Sequence, residues 1–216
     1  YRVRALVRTT SNLRWLKAAD PELAYGDVTD PDSLPAALDH VDYVFHAAGV
    51  VKAISRAEYM RVNAGGTDAL LQACAGSTPI KRIVLVSSLA AGGPSGRGPA
   101  VVEDDPPRPI SFYGESKLEA EQIASRYADR LPITIVRPPA IYGPRDTEVL
   151  DYIRCAARFR MAIIAGRPDT PLSVINIHDV TRGLFLAATS NQSAGRTYYL
   201  AGPEVVTWVD VAAALS

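Results

Sequence analysis

The chain has 216 residues, and Lys+Arg and Asp+Glu both number 23, so it carries no formal net charge. Neither a basic balance nor a run of like charges points to nucleic acid or an acidic membrane as a partner. The length is enough to bury a sizeable core without metal or disulfide staples.

No apolar run approaches the ~18 residues of a membrane span, and the opening YRVRALVR has no signal-peptide core. Cys74 and Cys155 lie in apolar helical patterns without metal-ligand spacing and read as reduced core thiols. A soluble cytoplasmic protein without a metal site is expected.

In chain order, YRVRALVR reads as a strand, NLRWLKAA as a helix and ELAYGDV as a short strand. PDSLPAALDH follows as a helix, with Asp30 as its cap and Pro31 in its first turn. VDYVFHAA is a strand, EYMRVNAGGTDALLQACAG a long helix and RIVLVSS a strand. A polar loop leads to the long helix YGESKLEAEQIASRYADR, closed by Pro132 before the strand ITIVRP. After residue 143 the pattern mixes helices with an apolar segment and a further strand, TYYLAG, and the chain stops in a helical pattern, TWVDVAAALS. Strands alternating with helices predict an α/β fold, a Rossmann-like doubly wound parallel sheet. The expected division is a nucleotide-binding part over residues 1–143 and a mostly substrate-binding subdomain over 144–216, with sheet elements returning at about 175–200.

A dinucleotide-binding sheet carries a glycine-rich turn after its first strand, where backbone N–H groups hold the pyrophosphate. None follows the opening strand here. The glycines of AAGGPSGRGPA lead into VVEDDPPRP rather than a helix and read as a mobile loop; those of NAGGTDALL read as close helix packing. The opening strand ends in Arg8. At the tip of a second Rossmann strand an arginine pairs with the 2′-phosphate of NADP, whereas an acidic residue favours NAD. The opening strand is then the second of the complete fold.

The order 3-2-1-4-5-6 would place the first strand between RVRALV and DYVFHA, leaving each with an unpaired edge. The chain is therefore expected to be an internal piece of a longer one, or to receive that strand from another polypeptide, and to bind cofactor poorly alone.

Tyr113 and Lys117 are one helical turn apart, so their side chains share a face. Ser87 and Ser88 end the preceding strand. This hydroxyl, followed by Tyr-x-x-x-Lys opening a helix, resembles the Ser-Tyr-Lys site of the short-chain dehydrogenase/reductase superfamily. YGDVTDPDSL, VFHAAGV, RVNAGGTDALLQAC, RIVLVSS, YGESKLEAE, IVRPPAIYGPRD and VINIHDV fall in the order of its extended branch, the NAD-dependent epimerases, dehydratases and dihydroflavonol-type reductases. The likeness covers nearly the whole chain.

The resemblance implies Tyr113 as general acid/base, Ser88 (or its neighbour Ser87) holding the same substrate oxygen, and Lys117 binding the nicotinamide ribose. A nearby ammonium would also lower the phenol from its usual pKa of about 10. Cofactor contacts carry over to Asp27, Val28, Ala47, Ala48, Gly49, Ser87, Pro138, Ala140 and Ile141, and Asn63 matches an asparagine bracing the active-site backbone. Asp27 also fits a plain turn aspartate, and His46 and His178 are expected to be buried structural histidines.

The implied activity is NADP-dependent (NAD possible) reduction of a ketone or oxidation of a secondary alcohol. Nucleotide-sugar epimerase or dehydratase is the alternative, and a non-catalytic NADP sensor or interaction protein the second. The apolar GVVKAIS and SSLAAGG favour a less polar substrate. A homodimer through the helices at 63–75 and 113–128 is implied as well.

Overall fold

The structure, a computed structural model, describes residues 1–96, 98–146, 154, 158, 167–202 and 205–214. β1 (Arg4–Val7) pairs in parallel with β2 (Glu22–Tyr25). β3 (Tyr43–His46), β4 (Arg82–Val86), β5 (Ile133–Arg137) and β8 (Thr197–Tyr199) form a four-stranded parallel sheet in that order. β6 (Ala140–Tyr142), β7 (Pro171–Asn176) and β9 (Val205–Thr207) make a third sheet, with β9 antiparallel to β7.

Alternation along β4 explains why the main sheet is covered on both faces. Ile83 and Leu85 join Leu34 and Leu38 of α1 (Leu34–Leu38), Leu70, Leu71 and Cys74 of α3 (Gly66–Ala75), and Ile123 and Ala124 of α5 (Phe112–Arg126). Val84 points the other way, where it and Val136 meet Ala187 and Ala188 of α6 (Ile177–Thr189). Each fully buried aliphatic side chain contributes about 1.5–3 kcal/mol. Burial lifts the Cys74 thiol to about 12, so it is an inert core group. Cys155 lies outside the described residues, as does most of 147–166.

Three local expectations are corrected. Residues 14–19 form consecutive turns rather than a helix, ending at Asp20 with φ 43°. Trp15, which would anchor such a helix, is exposed between the guanidinium groups of Arg14 and Arg145. Asp30 makes no side-chain cap; Ser33 instead ties the turn Pro31–Ser33 to the backbone of Asp27 and Asp30. The long helix at 56–75 is also interrupted: α2 (Arg56–Tyr59) passes through a wider π turn (Met60–Gly65) into α3.

The expected seam is present. Among the described residues β1 pairs only with β2 and β3 only with β4, which leaves β3 at the edge of its sheet with Phe45 47% exposed. The short helix α4 is Leu89–Gly92, and α7, the last described helix, is Trp208–Ala214.

Candidate active site

β4 and β5 deliver two backbones side by side to the same end of the sheet. The Ser87 amide donates to the Val136 carbonyl (2.8 Å) and the Leu89 amide to that of Pro138 (2.8 Å), so the pairing runs past the strand ends. Ser88 then turns the chain into α4, its Oγ accepting the Ala90 N–H (3.1 Å). Across from it, Ser111 caps α5 by accepting the Gly114 N–H (3.0 Å), which fixes Tyr113 in the first turn. Lys117 and Glu121 follow at successive turns on the same face.

These residues border a cleft of about 300 Å³. Its lining includes Ala47, Gly49, Asn63, Ser87, Ser88, Tyr113, Lys117, Pro138 and Ile141, all singled out from the sequence, together with Val50 and Val51. Ala48 and Ala140 are exposed and are not part of the lining.

Neighbouring serines have opposite fates. Ser87 is buried and its hydroxyl donates to the Glu121 carboxylate at 2.5 Å, beneath the cleft. Ser88 is half-buried and lines the cleft beside the Tyr113 phenol. Ser88 Oγ accepts from Ala90 and makes no bond to Glu121, so its own proton stays available on the cleft side.

The Tyr113 phenol sits above its usual pKa, raised mainly by burial and opposed by the nearby Ser88 hydroxyl; the Tyr59 ring lies 6.1 Å away. The expected lowering by Lys117 is not what this arrangement gives, since the Lys117 ammonium donates to the Val86 carbonyl (2.7 Å). Burial brings Lys117 down to about 8, against the pull of Glu121.

Asn63 in the π turn clamps the strand end. Its amide donates to the Val50 carbonyl (3.0 Å) and Ser116 Oγ (2.9 Å), while its Oδ1 accepts the Val50 N–H (2.8 Å). A Cβ on Gly49 would stand 2.8 Å from that Oδ1, so the close approach requires glycine. The sequence identified Asn63 but not the π turn holding it, a kind of distortion found often at functional sites.

His46 is buried, as expected. Thr67 Oγ1 spends its proton on the Asn63 carbonyl (2.6 Å), so it accepts from His46 Nε2 (2.9 Å). Burial lowers this imidazole to about 3, with the Lys117 charge helping, so it is neutral. His178 differs from expectation: it is exposed at the start of α6, where its amide donates to Asn176.

The adenosine-side candidates lie elsewhere. Arg8 is exposed at the tip of β1, close enough to Asp27 to help hold that carboxyl below its usual range. Asp27 makes a tight turn, accepting from both the amide and hydroxyl of Thr29. Val28 is buried against Gly66, where a Cβ would stand 2.8 Å from its methyl group, so the expected close packing is present at Gly66 but not at Gly65, which has room for a Cβ.

The nicotinamide end of a dinucleotide fits this cleft. Small residues at 47–49 leave backbone accessible at a parallel strand end, and a buried cation and a phenol face the same space. Among the described residues, no group of three or more His, Cys, Asp or Glu side chains is placed to hold a metal. Among the described residues, no helix is long and apolar enough to cross a membrane.

Parallel strands with helices on both faces, and a polar cleft at their carboxyl ends, define a Rossmann-like α/β protein of the nucleotide-binding type. The family model "NAD dependent epimerase/dehydratase family" matches residues 1–201, and the chain belongs to that family, within the extended short-chain dehydrogenases/reductases. It is 36% identical to a ceramide reductase of Caulobacter vibrioides, over 85% of this chain and 52% of that protein. It is 28% identical to a 3 beta-hydroxysteroid dehydrogenase/Delta 5-->4-isomerase of Mycobacterium tuberculosis, over 95% of this chain and 60% of the relative. MoeE5, solved in complex with UDP-glucose and NAD, superposes with a TM-score of 0.83 at 27% identity, over all of this chain and 74% of its own. The chain thus spans little more than half the length of these two curated relatives.

Proposed function

We propose that the protein is an NADP-dependent oxidoreductase that reduces a ketone or oxidises a secondary alcohol. The observation that carries this reading is that Ser88, Tyr113 and, one turn along the same helix face, Lys117 line one cleft. The bound nicotinamide would supply or accept the hydride. Tyr113, kept protonated by burial, would give its phenolic proton to the carbonyl oxygen, while the Ser88 hydroxyl holds that oxygen and shares its developing charge. Lys117 would bind the nicotinamide ribose. Its buried ammonium is within reach of the cleft, while its bond to Val86 restrains its position.

Arg8, exposed at the tip of β1, supports NADP over NAD. Asp27 and Val28 belong to the adenosine side of the proposal through their backbone, because one side chain is engaged in a turn and the other is buried. Pro138, Ala140 and Ile141 would flank the nicotinamide, and a homodimer through α3 and α5 belongs to the same reading. Residues 144–216 would supply most of the substrate side.

Val50 and Val51 line the cleft, with Ile54 wholly exposed close by in the chain, and these favour a less polar substrate. The names of the ceramide and steroid relatives agree with that preference. Epimerisation of a nucleotide sugar is the second reading, supported by the likeness to a protein solved with UDP-glucose.

The test is turnover by the full-length protein with NADPH or NADH across hydrophobic ketones and nucleotide sugars. Stoichiometric NADPH consumption with a ketone is the expected result. Sugar isomerisation without net cofactor change would establish the second reading instead, and unchanged biological activity of Tyr113→Phe would favour a sensor.

A further inference from the structure

Beneath the cleft lies a group that the proposed chemistry leaves unused. The Glu121 carboxylate and Arg137 guanidinium form a two-pronged ion pair, Nε to Oε1 at 2.9 Å and Nη2 to Oε2 at 2.6 Å, with side chains only 7% and 6% exposed. Glu121 Oε1 also takes the Ser87 hydroxyl, and Arg137 Nη1 donates to the Tyr199 hydroxyl (2.9 Å) on β8. A buried pair of this kind is weak evidence for stability, because well-packed apolar residues often do as well. Its value therefore has to be sought in what surrounds it.

We propose that Glu121 is the positioning residue of this site: its buried carboxylate takes the Ser87 hydroxyl, leaving the Ser88 hydroxyl for the cleft, and stands as the anion one helical turn from the Lys117 ammonium.

Both halves follow from geometry. Glu121 stands one turn beyond Lys117 on the same face of α5, both side chains buried, so a carboxylate held by Arg137 and Ser87 lies a helical turn from a cation that burial would otherwise discharge. The other polar groups grouped around Lys117 do not replace it. Tyr113 is a neutral phenol, His46 a neutral imidazole, and Asn63, Ser87 and Ser88 are uncharged. Arg137 is a second cation, bound to Glu121 itself. Of these, Glu121 is the charge that raises Lys117 against its burial. Ser87 and Ser88 adjoin one another, and Glu121 accepts from the first of them.

This inference rests on the proposed oxidoreductase reading, and its decisive measurement needs no turnover. In the full-length protein, the Lys117 side-chain resonances are followed by NMR through a pH titration, for the unaltered protein, Glu121→Gln and Glu121→Asp. The expected result is a midpoint lower by about one pH unit or more in Glu121→Gln, the usual effect of removing a close opposite charge. Glu121→Asp restores most of it. The basic limb of kcat/KM against pH should move down by the same amount and return in Glu121→Asp, which loss of packing alone would not produce.

If Glu121→Gln fails to fold, the double variant Glu121→Met/Arg137→Met removes both charges with little change in volume, and it too should lower the Lys117 midpoint. An unchanged midpoint in whichever of these folds overturns the proposal. A shifted midpoint in a protein without oxidoreductase activity would leave Glu121's action on Lys117 standing and overturn the functional reading instead.

Discussion

The two sides of β3 face different surroundings. Toward β4, β5 and α5 the chain closes on itself: Ile83, Val84 and Val136 are fully buried, and even the charged Glu121 and Arg137 have their bonds satisfied. On the other side, β3 has no strand partner among the described residues, Phe45 and Val3 are exposed, and the ion pair of Arg4 with Glu22 is partly open to water. The contrast teaches that the proton-handling side of the cleft is rigid by construction, whereas the adenosine side is not closed by the residues described. Catalytic and stability effects should therefore concentrate on the first side.

The largest effect is expected from Tyr113→Phe, which removes one hydroxyl at the sealed side. Turnover should fall about 10²–10⁴-fold with an unchanged circular dichroism spectrum. A much smaller loss would move the chemistry elsewhere. Breaking the buried pair by Arg137→Ala should cost about 3–5 kcal/mol in urea unfolding, because the buried Glu121 carboxylate loses its counter-charge and keeps only the Ser87 hydroxyl. The open-side counterpart Arg4→Ala should cost at most about 1 kcal/mol. Equal costs would erase the distinction between the regions.

Acid should also act first on the closed side. His46 binds its proton only near pH 3 in the folded chain but near 6.5 when unfolded. Between those values the unfolded state holds more protons, so stability falls as pH falls, by on the order of 4 kcal/mol across the window. Urea titrations at stepped pH should show this loss, and His46→Gln should flatten it.

A finer division separates the two serines. Ser88→Ala should cost about 10²–10³ in kcat, as loss of a hydrogen-bond donor to a developing oxyanion does. Ser87→Ala should chiefly cost stability, about 1.5–3 kcal/mol, as its proton serves a buried carboxylate. Reversed outcomes would exchange their roles. The smallest effect is expected at Phe45→Ser on the open side, within about 0.5 kcal/mol for the chain described, since that ring is already half in water.

The sheet was legible because strands buried on both faces read as continuous Val/Ile/Leu runs, as in RIVLV and ITIV. The Tyr113–Lys117 turn was legible because helical spacing alone aligns those side chains. What escaped depended on distant partners or on one residue of winding. The π turn differs from a regular helix only in its hydrogen-bond step, which leaves the apolar pattern of EYMRVNAGG almost unchanged. Choosing between Ser87 and Ser88 required knowing where Glu121 lies. A charged residue two turns along from Tyr113, and an arginine ending the apolar strand ITIV, were the available signals, but their pairing is tertiary. Leu13 and Leu16 offered helical spacing, yet the short link between β1 and β2 settled into turns.

The link from Arg137 to Tyr199 also sets a timetable. Its partners are 62 positions apart, so a ribosome adding roughly 5–20 residues per second needs on the order of several seconds to make the second after the first. During that interval Glu121 and Arg137 can already meet, but the tyrosine that caps the guanidinium has not been synthesised. A nascent chain stalled before residue 199 would therefore contain all of Ser88, Tyr113 and Lys117 and still lack the strand that finishes the floor beneath them.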